Sequence, residues 1–180
     1  GFAVAEENSA AAAPVASEAP SPREAPKLLK AADAGVGRLV PDLAFTDLDG
    51  RTGKLSDFRG SKALVIALTG TSCPVAMKFA PTLARLEREF TAQGVAFLFV
   101  DPIASDAPAD LRAAIKENGL AGRYVHDRDG ALTAALGATT STEVFVLDAA
   151  RTLVYRGAVD DQYGLGYALA APREEYLRRA

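Results

Sequence analysis

Two short stretches of nearly continuous apolar residues dominate the chain: Lys62-Ala63-Leu64-Val65-Ile66-Ala67-Leu68 and Val95-Ala96-Phe97-Leu98-Phe99-Val100. Runs of this length, bounded by turn residues, suit strands buried on both faces. Between them Val75, Phe79, Leu83, Leu86 and Phe90 recur at helical spacing until Gly94, which predicts an amphipathic helix. Upstream, Leu43 to Leu48 alternates and runs into Asp49-Gly50, a hairpin signal. Downstream, Asp110 to Glu117 reads as a helix stopped by Asn118-Gly119. Arg123 to His126 is a short strand and Gly130 to Leu136 a short helix. Glu143 to Leu147 and Thr152 to Arg156 form a hairpin around Asp148-Ala149-Ala150-Arg151. The order β-α-β-α-β-α-β-β predicts an α/β domain, a central mixed β-sheet flanked by helices on both faces.

The first 36 residues follow a different pattern. They are rich in Ala, Glu, Ser and Pro, with Pro14, Pro20, Pro22 and Pro26 spread through them. So little large apolar surface does not offset the entropy of ordering, so residues 1–36 are expected to be a disordered tether and 37–180 the folded domain. The opening Gly-Phe-Ala-Val-Ala-Glu places Ala3 and Ala5 in the A-x-A spacing of a signal-peptide end, so an exported, periplasmic and soluble protein is expected, with membership of a larger exported chain or complex as a further expectation.

Composition removes several function classes. The 180 residues carry 20 basic and 23 acidic side chains, a formal charge of −3, so there is no basic footprint for nucleic acid. No run approaches the ~18 apolar residues of a membrane span. The single Cys excludes an intrachain disulfide, and with a single His it cannot fill a zinc site without carboxylates.

That one cysteine has an informative position. Thr69-Gly70-Thr71-Ser72-Cys73-Pro74 links a buried strand to a helix, and Pro74 suits the first helical turn. Unpaired N–H groups and the helix dipole at such a turn favour thiolate over thiol. The carboxyl end of a central strand is also where open α/β sheets do chemistry. Lys78, one turn on, is expected to be a solvated residue of the helix face.

Residues 38 to 165 resemble the redoxin branch of the thioredoxin-like superfamily, which includes the alkyl-hydroperoxide-reductase/thiol-specific-antioxidant proteins. The entry Val40-Pro41-Asp42-Leu43-Ala44-Phe45, with Asp49-Gly50-Arg51 and Leu55-Ser56-Asp57-Phe58-Arg59-Gly60, carries part of the match. So do Thr71-Ser72-Cys73-Pro74 with Pro81 eight residues after the cysteine, Asp127-Arg128-Asp129-Gly130 before Leu136-Gly137, and Thr142-Glu143-Val144-Phe145-Val146-Leu147-Asp148. The resemblance implies a thioredoxin-like fold with an N-terminal β-hairpin extension. It places Cys73, flanked by Thr71, Ser72 and Pro74, at the catalytic position and Thr142 at the substrate-groove position usually held by a cis-proline.

The chain departs from each subfamily where the chemistry lies. Ala76 stands where Cys-x-x-Cys has its second thiol. Ile66 and Gly70 stand where peroxiredoxins have the Pro and Thr of their Pro-x-x-x-Thr-x-x-Cys motif, and Thr142 lies near their arginine. The copper-chaperone spacing Cys-x-x-x-Cys gives Cys73 and Met77.

Three functions are therefore expected alternatives. The first is a monothiol redoxin and antioxidant without a cofactor. In it Cys73 attacks a peroxide or the disulfide of a disulfide protein partner, an external thiol reductant resolves the product, and His126 is a candidate acid or base. The second is a copper-binding module using Cys73, Met77 and His126. The third is a non-catalytic interaction domain. The segment Asp160 to Tyr167 reads as an ordered surface loop, with oxygen ligation of calcium as its alternative.

Overall fold

The computed structural model describes residues 30–180. The signal-peptide end expected at 1–5 lies outside these residues, as does most of the expected tether. Of the tether, residues 30–36 are described. They form hydrogen-bonded turns, with Ala34 buried and the Gly37 N–H donating to the Leu153 carbonyl at 2.8 Å.

Strands β1 (Ala44–Thr46) and β2 (Thr52–Lys54) form the N-terminal hairpin, followed by a single 3-10 turn at Leu55–Phe58. Then come β3 (Ala63–Leu68), α1 (Pro74–Thr91), β4 (Val95–Asp101), α2 (Pro108–Asn118), β5 (Arg123–His126) and α3 (Ala131–Leu136). Strands β6 (Val144–Asp148) and β7 (Leu153–Gly157) close the main sheet. A second small hairpin, β8 (Tyr163–Gly164) and β9 (Tyr167–Ala168), precedes a terminal turn of helix, α4 (Tyr176–Arg179). The sheet order is β5-β4-β3-β6-β7, with β3, β4 and β5 parallel and β6 and β7 antiparallel to their neighbours. This is the thioredoxin-like arrangement, a five-stranded mixed sheet with helices on both faces and an N-terminal hairpin.

Alternation along β3 divides the core. Val65 and Ala67 face α1 and α2 with Phe79, Leu83, Leu86, Phe97, Phe99 and Leu111, while Leu64, Ile66 and Leu68 face α3 and the hairpin with Phe45, Val100, Leu132, Leu136 and Phe145. Such burial removes most of the apolar surface of these strands from water, the main favourable contribution to folding. Pro81 lies inside α1 and has no N–H, so the Met77 carbonyl one turn after Cys73 loses its helical donor. Helix α2 ends at Gly119, whose φ of 69° is the left-handed cap conformation glycine adopts without strain.

The hairpin is stitched to the sheet edge by Arg123 of β5. Its Nε donates to Asp47 Oδ2 at 2.8 Å, its Nη2 to the Arg51 carbonyl at 2.7 Å, and its guanidinium lies 4.7 Å from the Phe45 ring centroid. The C-terminal region differs from expectation. The segment Asp160 to Tyr167 is not a surface loop throughout, because Asp160 and Asp161 are buried. Asp161 accepts from the N–H groups of Arg173 (2.7 Å) and Glu174 (2.9 Å) and from Arg173 Nε (3.1 Å), which closes the chain over the base of the β8–β9 hairpin. The last helix is confined to Tyr176–Arg179, because these contacts hold the preceding residues in a non-helical path.

Candidate functional site

The site is built at the carboxyl end of β3. The Leu68 N–H donates to the Glu143 carbonyl and the Thr69 N–H to the Val100 carbonyl, both at 2.9 Å, so the chain stays in the sheet through Thr69. It then leaves through Gly70-Thr71-Ser72. Cys73 is the N-cap of α1, in extended conformation (φ −98°, ψ 111°), and its carbonyl accepts the Met77 N–H at 3.0 Å. Pro74 occupies the start of the helix, no side chain caps it, and its first turn has no acidic residue. The helix-end amides therefore face the half-buried Cys73 with no carboxylate of their own turn in competition.

The turn before Cys73 is held from the β4–α2 loop. Asp106, buried, accepts the Thr71 N–H at 2.7 Å and the Ser72 N–H at 3.2 Å on Oδ2, and the Ser72 hydroxyl on Oδ1. Burial pushes the Asp106 carboxyl up, but the bonds from Ser72 and Thr71 outweigh it and hold the acid below its usual range. Gly70 is required by close approach: a Cβ there would lie 2.9 Å from Asp101 Oδ1, 3.1 Å from Asp106 Oδ2 and 3.1 Å from Ile103 Cδ1.

Asp101, the last residue of β4, is fully buried. Oδ1 accepts the Ile103 N–H at 2.9 Å, while Oδ2 has no hydrogen-bond partner. Burial, reinforced by the Asp106 charge and opposed by Ile103 and His126, pushes its carboxyl up to about 6. His126 ends β5, its side chain 6% exposed, with Nε2 3.0 Å from the Ile103 carbonyl and 3.6 Å from Asp101 Oδ2. A carbonyl only accepts, so Nε2 carries a hydrogen and Nδ1 is the atom free to gain one. Tyr124, buried beside the same acids, has its phenol raised far above the ordinary range by burial first and by the Asp101 charge second.

The residues singled out from sequence fall into two groups. Thr71, Ser72 and Cys73 lie in the turn and Pro74 opens α1 directly after them. Thr142 lies two residues before β6, next to Glu143, whose carbonyl accepts the Leu68 N–H at the end of β3; no cis peptide occurs among the described residues. His126 stands two strands from β3, roughly 10 Å across the sheet at ~4.8 Å per strand, and its contacts are with Asp101 and Ile103. Met77 is 54% exposed, and Lys78 is exposed with Nζ 5.9 Å from the Tyr163 ring centroid. Ala76 is buried in the core-facing side of the helix.

Among the described residues, no group of three or more His, Cys, Asp or Glu side chains is disposed to hold a metal ion. Nor is any helix there long and apolar enough to cross a membrane. Asp101 and Asp106 are the functional candidates that sequence reading missed. Nothing local marks them, since each is an ordinary acid in a polar strand-to-helix connection until the parallel pairing of β3 and β4 brings that connection under the Cys73 turn.

Comparison with known proteins agrees with this architecture. Residues 35–168 match the Redoxin family. Over 113 residues the chain is 28% identical to thiol-disulfide oxidoreductase ResA of Geobacillus thermodenitrificans, a match that covers 63% of each chain, so this chain spans less than two thirds of that relative's length. Among solved structures, a conserved protein of Geobacillus kaustophilus superposes with a TM-score of 0.71 at 24% identity, covering 81% of this chain and 78% of that one. A thiol:disulfide interchange protein DsbE of Chlorobium tepidum gives 0.60 at 19% identity, covering 68% and 84%. With the family match running from before the hairpin to the end of β9, the chain belongs to the Redoxin family, and it shares its fold with these structures.

Proposed function

We propose that this domain carries out thiol–disulfide exchange with Cys73 as its sole nucleophile. The observation that carries the reading is the place of Cys73, half-buried at the N-cap of α1 on a turn pinned by three hydrogen bonds to Asp106. The Cys73 thiolate attacks one sulfur of a partner disulfide, a mixed disulfide forms, and the second sulfur leaves as thiolate. Ala76 supplies no second thiol, so an external thiol attacks the mixed disulfide and returns Cys73 to its reduced form. The likeness to a thiol-disulfide oxidoreductase supports this chemistry, and its partners are then disulfide-bearing proteins and a thiol reductant. Ala3 and Ala5 support an exported setting, where such disulfides persist.

Peroxide reduction by the same sulfur would cleave the O–O bond, leaving a sulfenate and releasing water. Ile66 and Gly70 offer no side-chain donor to polarise a peroxide, which favours the disulfide reading. The test is the rate of Cys73 with a small aromatic disulfide and with hydrogen peroxide, compared with free cysteine at equal pH. Acceleration with the disulfide supports the reading. Acceleration with peroxide alone replaces it by a peroxidase, and acceleration with neither leaves an interaction domain.

A further inference from the structure

The outer edges of β1 and β5 carry backbone groups that the fold leaves unpaired. In the β1–β2 ladder the Leu55 N–H donates to the Leu43 carbonyl and the Asp47 N–H to the Arg51 carbonyl. That register makes Phe45 and Gly53 the bonded pair, so the N–H and C=O groups of Ala44 and Thr46 point away from β2. In the parallel β4–β5 ladder the Asp127 N–H donates to the Asp101 carbonyl at 2.9 Å. Arg123 and Val125 therefore turn their backbone groups to β4, and Tyr124 and His126 turn theirs outward. A single backbone bond joins the two edges, from the Leu48 N–H to the Tyr124 carbonyl at 2.9 Å. Beyond it the N–H groups of Ala44, Thr46, Tyr124 and His126 have no partner among the described residues.

The two edges enclose a cavity of about 380 Å³. Phe45, Val125 and Leu132, all buried in the α3-side core, give it an apolar floor. Of the charged residues that line it, Asp127 is committed to the N–H groups of Leu132 and Thr133 and to the Thr133 hydroxyl, and Asp129 accepts the Ala131 N–H. Arg128 is exposed and makes no ion pair among the described residues. Unpaired donors and acceptors at strand spacing on both walls suit an extended backbone, and an unpaired sheet edge is a template for one. A second copy of this chain offers no such strand at the other edge of its sheet. There β7 is interrupted by a bulge opposite Val146 and Leu147, and Leu39 covers Thr152.

We propose that the slot between β1 and β5 binds an extended, acidic segment of another protein as an added strand. The segment pairs its backbone with Ala44 and Thr46 on one side and with Tyr124 and His126 on the other. One apolar side chain rests on the floor of Phe45, Val125 and Leu132. An acidic side chain two positions away, hence on the same face, meets Arg128. The inference goes beyond thiol–disulfide exchange and uses neither Cys73 nor the turn that carries it.

The experiment is amide hydrogen exchange on the full chain, read by NMR with and without a millimolar excess of the probe peptide acetyl-Glu-Thr-Val-Thr-Glu-amide. Exchange at Ala44, Thr46, Tyr124 and His126 is expected to slow at least tenfold. The same peptide N-methylated at both threonines keeps its side chains but cannot pair with one of the two edges, and it is expected to give no protection. Arg128→Ala is expected to weaken binding of the parent peptide about threefold, the effect of one exposed ion pair. No protection, protection only elsewhere on the chain, or equal protection by the N-methylated peptide would overturn the added strand. Unchanged binding to Arg128→Ala would overturn the acidic partner. Protection present before any peptide is added would also overturn the proposal. The slot is then closed by the chain itself or, where protection grows with protein concentration, by a second copy. Cys73→Ser is expected to show the same protection as wild type, so failure of the thiol chemistry and failure of the strand site give different results.

Discussion

Asp106 and Ser72, 34 residues apart in sequence, meet side chain to side chain, and the same carboxylate takes the N–H groups of Thr71 and Ser72. One acid from the loop after β4 thus fixes the conformation of the turn that presents Cys73. This cross-connection ties the shape of the site to the parallel pairing of two core strands rather than to the turn sequence alone.

Replacing Asp106 by Ala leaves two backbone donors and a hydroxyl to find water. The expected cost is about 2–3 kcal/mol of stability, whereas Ser72→Ala, which removes one bond, costs about 1 kcal/mol. Urea unfolding measures both. The rate of Cys73 with a small disulfide should fall more in Asp106→Ala than in Ser72→Ala, because only the former frees the backbone of the turn.

Gly70→Ala forces a methyl group to within 3.1 Å of Asp101, Asp106 and Ile103. Expansion of so close a contact is expected to cost about 1–3 kcal/mol and to displace the Asp106 clamp. Chemical denaturation should show the loss, with disulfide reactivity reduced in the same variant. An unchanged midpoint would mean that the loop carrying both acids yields freely.

Stability should depend on pH with a defined sign. Asp101, raised from 3.8 to about 6 chiefly by burial, binds its proton more tightly in the native state than in the unfolded one. Between about pH 4 and 6 the native state therefore holds more protons, and stability falls as pH rises, on the order of 3 kcal/mol for an isolated group. Asp106 and Asp47 are held below their usual values against burial, by hydrogen bonds and, for Asp47, by Arg123 and Arg51. Their stabilisation is full above about pH 4 and is lost as pH falls further. Urea midpoints from pH 3 to 8 should trace both limbs, and Asp101→Asn should flatten the one between pH 4 and 6.

Arg123→Ala removes the stitch between the hairpin and β5 and leaves the buried Asp47 carboxylate to Arg51 Nε and the N–H groups of Asp49 and Arg51. The expected cost of losing the charge-assisted bond is about 1.5–3 kcal/mol. Hydrogen exchange should show protection lost first at Phe45 and Gly53, with amides of β3 and β4 following only to the extent of the global destabilisation.

Much of this framework is legible in the sequence because it is local. The apolar runs of β3 and β4 and the Val75–Phe90 spacing of α1 each announce an element, and together they put Cys73 at a helix entrance. The Arg123–His126 strand coincides with β5 residue for residue. What was not legible depends on long-range register. Asp101 and Asp106 carry no pattern of their own, and Asp160 and Asp161 resemble loop acids until Arg173 and Glu174 return to cover Asp161. The β8–β9 hairpin is likewise too short for alternation to reveal, each strand having only two residues. His126 was recognisable as the sole imidazole, but its partner was not, because that partner lies on the neighbouring strand at a register only the folded sheet defines.

Mixed-disulfide trapping shows whether Cys73 is a nucleophile presented by the clamped turn. Wild type and Cys73→Ser are mixed with an aromatic disulfide near neutral pH, with thiol release followed by absorbance and the protein by mass spectrometry. One equivalent of thiol is expected, released at least tenfold faster than by free cysteine. A single adduct is expected on wild type, removed by an added thiol, and none on Cys73→Ser. Release no faster than from free cysteine, or an adduct that does not require Cys73, would contradict that role of Cys73.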